Sequence, residues 1–272
     1  MNFTKHINQA ARWIAISILV LVMVSWVLSL AVSFDVVADV NPDQGGVGPS
    51  DKHWLGTDHM GRDVFWRMVT GSDAFVGPGL LACGVTLLFG VPTGAIAGYL
   101  GGIFSSIVRF LYGVLGSIPR FVLVLVVCTI YGNDPSVIAL TAGIAYAPAL
   151  GEAIYERVDR MRREDFVKAA KAHGLSQSDI LFRQILWHNC RRLITRHCLF
   201  LFGFYLVLES TLSYIGDFGV EEPNPSWGNM LAFEFGETAG NALAWLGPAF
   251  AIWCTVLAVA ITTDHLSEQR RA

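Results

Sequence analysis

The feature that most constrains this chain is the recurrence of apolar runs of membrane length. Six can be drawn, at about 13–33, 75–99, 105–131, 136–156, 193–215 and 243–263, each close to the roughly 20 residues that a helix needs to cross a hydrocarbon layer of about 30 Å. Composition agrees, with 53% hydrophobic residues, 15% charged residues and a mean hydropathy of +0.50. A soluble core of this size could not hide that much apolar surface. The expected fold is an all-α polytopic membrane protein with six transmembrane helices.

Lys5 and Arg12 precede the first apolar run. That run is longer than the roughly 7–15 residues of a signal core, so it is expected to stay as a span even though Ala31-Val32-Ser33 offers a cleavage site. The chain divides into an N-terminal tail with its first span (1–34), an outer-face segment (35–74) and a five-span core (75–272). Cationic residues collect in the loop 157–192, which holds Arg157, Arg160, Arg162, Arg163, Lys168, Lys171, Arg183, Arg191 and Arg192, and Arg270 and Arg271 close the chain. Segment 34–74 has only Lys52, Arg62 and Arg67, and 216–242 has none. Cytoplasmic loops accumulate Lys and Arg, so both termini and the 157–192 loop are expected in the cytoplasm. The five cysteines, Cys83, Cys128, Cys190, Cys198 and Cys254, form no Cys-x-x-Cys pair and read as small apolar residues.

Glycine and proline recur inside the spans, as in "GVTLLFGVPTGAIAGYLGG" and "GVLGSIPRFVLV". Small residues let helices approach closely, and Pro92, Pro119 and Pro148 are expected to bend theirs. This pattern suits close helix packing and a pathway lined by bent helices equally.

The stretch "DFVKAAKAHGLSQSDILFRQIL" from Asp165 is charged and broken by Gly174. On a helix Phe166, Ala169, Ala170 and His173 share a stripe while Lys168 and Lys171 point elsewhere. Gly174 stops that helix, and Ser176 caps another with Asp179 three residues on. Two short helices meeting at Gly174 would present Ala169, Ala170 and Ala172 as a small-residue docking face. The other reading is an amphipathic linker held on the inner leaflet by its positive charges.

The residues "KAAKAHGLSQSDILFRQIL" resemble the cytoplasmic loop of permease subunits of bacterial ATP-binding-cassette importers, whose pattern is Glu-Ala-Ala, three residues, Gly and then Ile-Leu-Pro. Ala169, Ala170, Gly174, Ile185 and Leu186 match, while Lys168 stands in place of Glu and Trp187 in place of Pro. "HWLGTDHMGRDVFWRMVTGS" is similar to the segment after the first span in the C-type dipeptide, oligopeptide and nickel permeases, matching at Gly56, Thr57, Asp58, Gly61, Arg62, Asp63, Val64 and Arg67. "ESTLSYIGDFGVEEPNPSWGNML" resembles two further blocks of that group at Glu209, Leu212, Ser213, Gly216, Pro223, Pro225, Ser226, Trp227 and Gly228. The C-terminal "TTDHLSEQRRA" keeps only Asp264 and Leu266 of the family's closing run.

The resemblance implies a type I importer permease whose 157–192 loop is a coupling helix, moving with the ATPase it docks on. Its partners would be a second homologous permease, two ATPase subunits carrying ATP and Mg, and an extracytoplasmic substrate-binding protein, all at a bacterial inner membrane. The cargo would be a short peptide or a nickel chelate. No G-x-x-x-x-G-K-[ST] loop, G-x-S-x-G elbow or H-E-x-x-H pair is present, so no catalytic residues are assigned and the energy source is expected in another chain.

Glu209 in the fifth span, with Ser213 beside it, and Arg120 after Pro119 are pathway or interhelix candidates, because ionisable groups inside spans are costly and face the bundle interior or a polar cavity. Arg120 has no counterpart in the family pattern; facing the pathway it would meet a carboxylate such as a peptide terminus, and otherwise it would snorkel to an interface. His53 and His59 flank "WLGTD", yet no metal site is assigned. "TDHMGRDVFWRMV" reads as a short interfacial helix capped by Thr57 or Asp58, whose Asp58, Arg62, Asp63 and Arg67 would form polar contacts, the second permease being one partner open to them, and Trp227 reads as an interface anchor. The rival reading is a solitary ion- or proton-coupled transporter using Glu209 and Arg120 as coupling charges.

Overall fold

The computed structural model describes residues 2–216, 218–235 and 240–268. Apart from an isolated bridge between Thr57 and Asp63, the regular elements among the described residues are helical. They run α1 (Asn2–Ser29), α2 (Phe34–Ala38), α3 (Val64–Thr70), α4 (Asp73–Leu100), α5 (Gly102–Ser117), α6 (Arg120–Tyr131), α7 (Pro135–Met161), α8 (Asp165–Ala172), the turn α9 (Gln177–Asp179), a π-helical stretch Ile180–Cys190, α10 (Arg191–Ile215), α11 (Trp227–Glu234) and α12 (Leu243–Glu268). Arg270 and Arg271 lie outside the described residues.

Five of the six expected spans are continuous helices. The third, expected unbroken over 105–131, is two half-helices bent by 76° between Ser117 and Arg120. The cause is local. Pro119 disfavours helical backbone at the residue before it, and Ile118 accordingly sits at φ −81°, ψ 124°. Pro92 and Pro148, expected to act in the same way, lie inside α4 and α7, which run on past them.

The fold divides into two compact units, one of Met1–Leu80, Val127–Ile138 and Phe202–Ala272, the other of Leu81–Val126 and Ala139–Leu201. In the first, α1 packs on α12 and α3, and α11 lies on α12. In the second, the glycine pattern becomes a helix seam. A Cβ at Gly90, Gly94 or Gly98 of α4 would sit 2.8, 2.2 and 2.7 Å from the carbonyl oxygens of Ala147, Gly151 and Tyr155 on α7. Small residues every fourth position bring two backbones into contact, which is how helices associate where lipid removes the hydrophobic drive. Along this run the glycines serve packing.

Candidate functional site

The charged 157–192 segment belongs wholly to the second unit. α8 ends in a Schellman motif: Leu175 N–H donates to Ala170 O at 3.1 Å and Gly174 N–H to Lys171 O at 3.0 Å. That closure needs a left-handed residue, and Gly174 has φ +78°. Ser176 Oγ then accepts from Asp179 N at 3.1 Å, the expected cap. The helix that this cap opens is long, against the short one expected. From Gln177 the chain stays helical through the π stretch into α10, ending at Ile215, a run of 39 residues. Within the π stretch Asn189 Nδ2 reaches back five residues to Gln184 O at 2.7 Å.

Val167 anchors α8. Together with Ile180, Leu181, Ile185, Leu186 and Cys190 it forms a buried cluster against Ala95 of α4 and Leu150, Ile154 and Val158 of α7. Ile185 and Leu186, matched by the sequence pattern, therefore hold the segment from beneath rather than lining its surface. Ala170 is half-buried and turns inward with Val167, so the expected stripe splits; Phe166, Ala169, Ala172, His173 and Gly174 remain exposed. Lys168 pairs within the helix, Nζ to Asp165 Oδ1 at 2.7 Å, with both groups exposed. Lys171 Nζ lies 5.8 Å from the Tyr99 ring, and Arg162 Nη1 donates to Tyr99 O at 3.1 Å.

The block from His53 to Ser72 belongs to the first unit. Asp63, not Thr57 or Asp58, caps α3, accepting from Trp66 N at 3.0 Å. Thr57 is buried instead, its Oγ1 donating to Gln44 O at 2.5 Å. Gly61 at φ +79° passes so close to Asn41 that a Cβ would lie 1.9 Å from its carbonyl oxygen, and Gly56 at φ +76° approaches Val47 O to 2.3 Å on the same measure. This tight loop delivers Asp58 inward. Its Oδ1 accepts from Met60 N and Arg62 N at 2.9 and 2.8 Å, and its Oδ2 takes Arg62 Nε at 2.6 Å. Arg62 also bonds Glu222, which accepts from Arg67 Nη2 at 2.8 Å. Burial opposes the Arg62 charge, but Asp58 and Glu222 more than offset it and hold the guanidinium above its ordinary value. These four charges neutralise one another, so the polar contacts expected of Asp58, Arg62 and Arg67 are made within the chain.

His53 and His59 do not converge. His53 Nδ1 lies 2.8 Å from Asp63 Oδ2 and His59 Nδ1 lies 2.6 Å from Glu234 Oε1. Asp58, His59 and Glu234 do place one ligand atom each within 4.8 Å of one another, but the Asp58 carboxylate is already occupied by N–H donors and guanidinium.

The Ser-Trp-Gly block locks α11 into the same unit. Ser226 and Asn229 form a reciprocal capping box. Gly228 lets the turn meet α10, where a Cβ would lie 2.3 Å from Ser210 O. Trp227, expected at a membrane interface, is 4% exposed; its Nε1 donates to Met68 O at 2.9 Å and its ring centroid lies 4.8 Å from that of Phe75. Pro225 joins the cap to the acidic loop 221–222. Glu209 is buried and accepts from Ser213 Oγ at 2.7 Å, while Ser213 Oγ accepts from Val220 N at 2.8 Å. Within this chain the pair ties α10 to the following loop. Sequence reading missed Glu222, Asn229 and Asn241. Asn241 Nδ2 donates to Leu55 O and Thr57 O at 2.8 and 3.0 Å, 186 and 184 residues away, and no short-range spacing announces such a partner.

Residues 90–271 match the family profile described as the binding-protein-dependent transport system inner membrane component. The chain belongs to this family. Its relatives include the dipeptide transport system permease protein DppC of Alkalihalophilus pseudofirmus, 30% identical over 231 residues that cover 85% of this chain and 75% of that protein. The glutathione transport system permease protein GsiD is 26% identical in Pectobacterium atrosepticum, covering 97% of this chain and 86% of that one. The form from Escherichia coli O157:H7 is also 26% identical, covering 95% and 84%. This permease is thus a multi-pass inner-membrane subunit of an ATP-binding-cassette importer that works with ATPase and binding-protein partners, and ATP hydrolysis belongs to other subunits. The solitary ion-coupled transporter is set aside.

Proposed function

We propose that this permease pairs with a second, homologous permease to enclose a pathway for short peptides. In this reading two ATPase subunits dock on the 157–192 loops and a binding protein delivers cargo to the outer face. The relatives named for dipeptide and glutathione transport favour a peptide over a nickel chelate. The clustering of Lys and Arg in 157–192 supports a cytoplasmic position for that loop and for both termini.

One observation carries the coupling role. α8 turns Phe166, Ala169, Ala172 and His173 to solvent while Val167 on its other side is fixed in the core shared with α4 and α7. A push on the exposed face therefore reaches two spans directly and α10 through the continuous helix from Gln177. Closure of the ATPases would bias the pathway between inward-open and outward-open states.

The test is purification of the tagged complex in mild detergent, comparing wild type with Ala169→Trp and Gly174→Pro. Ala169 is exposed, so the tryptophan obstructs docking without entering the core. ATPase and second permease should be recovered with wild type and the ATPase lost with Ala169→Trp. Recovery of the ATPase at wild-type level with both variants would reject the docking site.

A further inference from the structure

A pocket in the second unit is used by neither the α8 segment nor the Asp58–Arg62–Arg67–Glu222 cluster. It has a volume of 340 Å³ and lies where the half-helices α5 and α6 face α7, with Arg109, Tyr112, Gly116, Arg120, Pro148 and Glu152 around it. On α5 the pocket residues 109, 112, 113 and 116 follow helical spacing and form one stripe. The opposite stripe, Ile103, Ile107, Phe110 and Val114, is apolar and exposed, as suits lipid or another apolar helix. A Cβ at Gly113 or Gly116 would meet nothing within 4 Å, so the polar stripe borders open space.

The charges in this pocket do not balance. Arg109 Nε lies 3.0 Å from Glu152 Oε1. Arg120 has no carboxylate partner among the described residues: its Nε donates to Ala145 O at 3.4 Å and its guanidinium carbon sits 4.2 Å from the Tyr146 ring centroid. Two guanidiniums and one carboxylate thus line the pocket, and the charge of Arg120 stands unmatched in a bent span, where such a charge is costly and marks a solute path. Stacking on Tyr146 occupies one face of the guanidinium; a planar guanidinium bonds a carboxylate through the N–H groups of its edge. The 76° break adds to this, because the first N–H groups of α6 have no partners within their own helix and carry partial positive charge at Arg120.

We propose that this pocket is an intramembrane binding site for the terminal carboxylate of a short peptide, held by Arg120, while Glu152 stays paired with Arg109 and the peptide's ammonium group lies outside the pocket. It rests on the short-peptide reading given above and specifies how such a cargo is recognised after the binding protein releases it. The peptide's carboxylate supplies the anion that the pocket lacks.

The experiment is uptake of a labelled tripeptide with free termini by the complete transporter, with its binding protein, in proteoliposomes. Arg120→Gln is expected to lower the initial rate about tenfold or more, the loss that follows removal of one partner from a desolvated charge pair. Arg120→Lys should recover part of the rate, with ATPase and partner permease co-purifying normally in both. Unchanged uptake in Arg120→Gln overturns the site alone. Equal loss in the glutamine and lysine variants, or loss of co-purifying chains, assigns Arg120 to structure and also overturns it. A wild-type transporter that takes up no peptide rejects the cargo reading, and this ligand with it.

Discussion

Arg67 Nη2 lies 2.8 Å from Glu222 Oε1, joining two residues 155 positions apart around a guanidinium that is 1% exposed. The contact closes this part of the first unit by charge. Asp58 and Arg62 complete the cluster, and removing one member leaves the others buried and unmatched. Arg67→Ala should therefore destabilise the protein by about 3–5 kcal/mol. Arg163 pairs with Asp159 at 2.7 Å but is 69% exposed, and Arg163→Ala should change stability by less than about 1 kcal/mol. Thermal unfolding in detergent separates the two; equal shifts would mean that the Asp58–Arg62–Arg67–Glu222 cluster is not a structural lock.

The α4–α7 seam predicts a steric asymmetry between glycines of a single helix. Gly94→Ala would drive a methyl group to 2.2 Å from Gly151 O, an overpacking that should cost about 1–3 kcal/mol or more and lower the monodisperse yield. Gly84 in the same helix has nothing within 4 Å of a Cβ, and Gly84→Ala should be neutral or stabilise by up to about 1 kcal/mol through helix propensity. Size-exclusion profiles and melting temperatures of both variants check the pair.

Gly174 and Ser176 should differ in mechanism while acting on the same turn. Gly174→Ala places a Cβ at φ +78° with open space around it, so its cost is conformational strain of about 1–2 kcal/mol. Ser176→Ala removes a cap worth about 1 kcal/mol. Both should raise hydrogen exchange locally over residues 165–180 and leave α12 unaffected. Faster exchange throughout the chain would show that the turn supports more than α8.

The sequence alone determined the helical, membrane-spanning class, the end of α8 at Gly174, the Ser176 cap and the chain break at Pro119. Each comes from a residue acting on its immediate neighbours: apolar runs of span length, a left-handed glycine, a side-chain acceptor, a proline restricting Ile118. Only the tertiary structure decided that Ile185 and Leu186 pack beneath α8 with Val167, that Trp227 is buried on Phe75 and that Arg67 answers Glu222. Those partners are chosen by how separate segments meet, and one sequence carries no local trace of a neighbour on another helix. The same holds for Arg120. Its charge was legible at once, but its stacking on Tyr146 and its want of a carboxylate partner among the described residues depend on the path the chain takes after the bend.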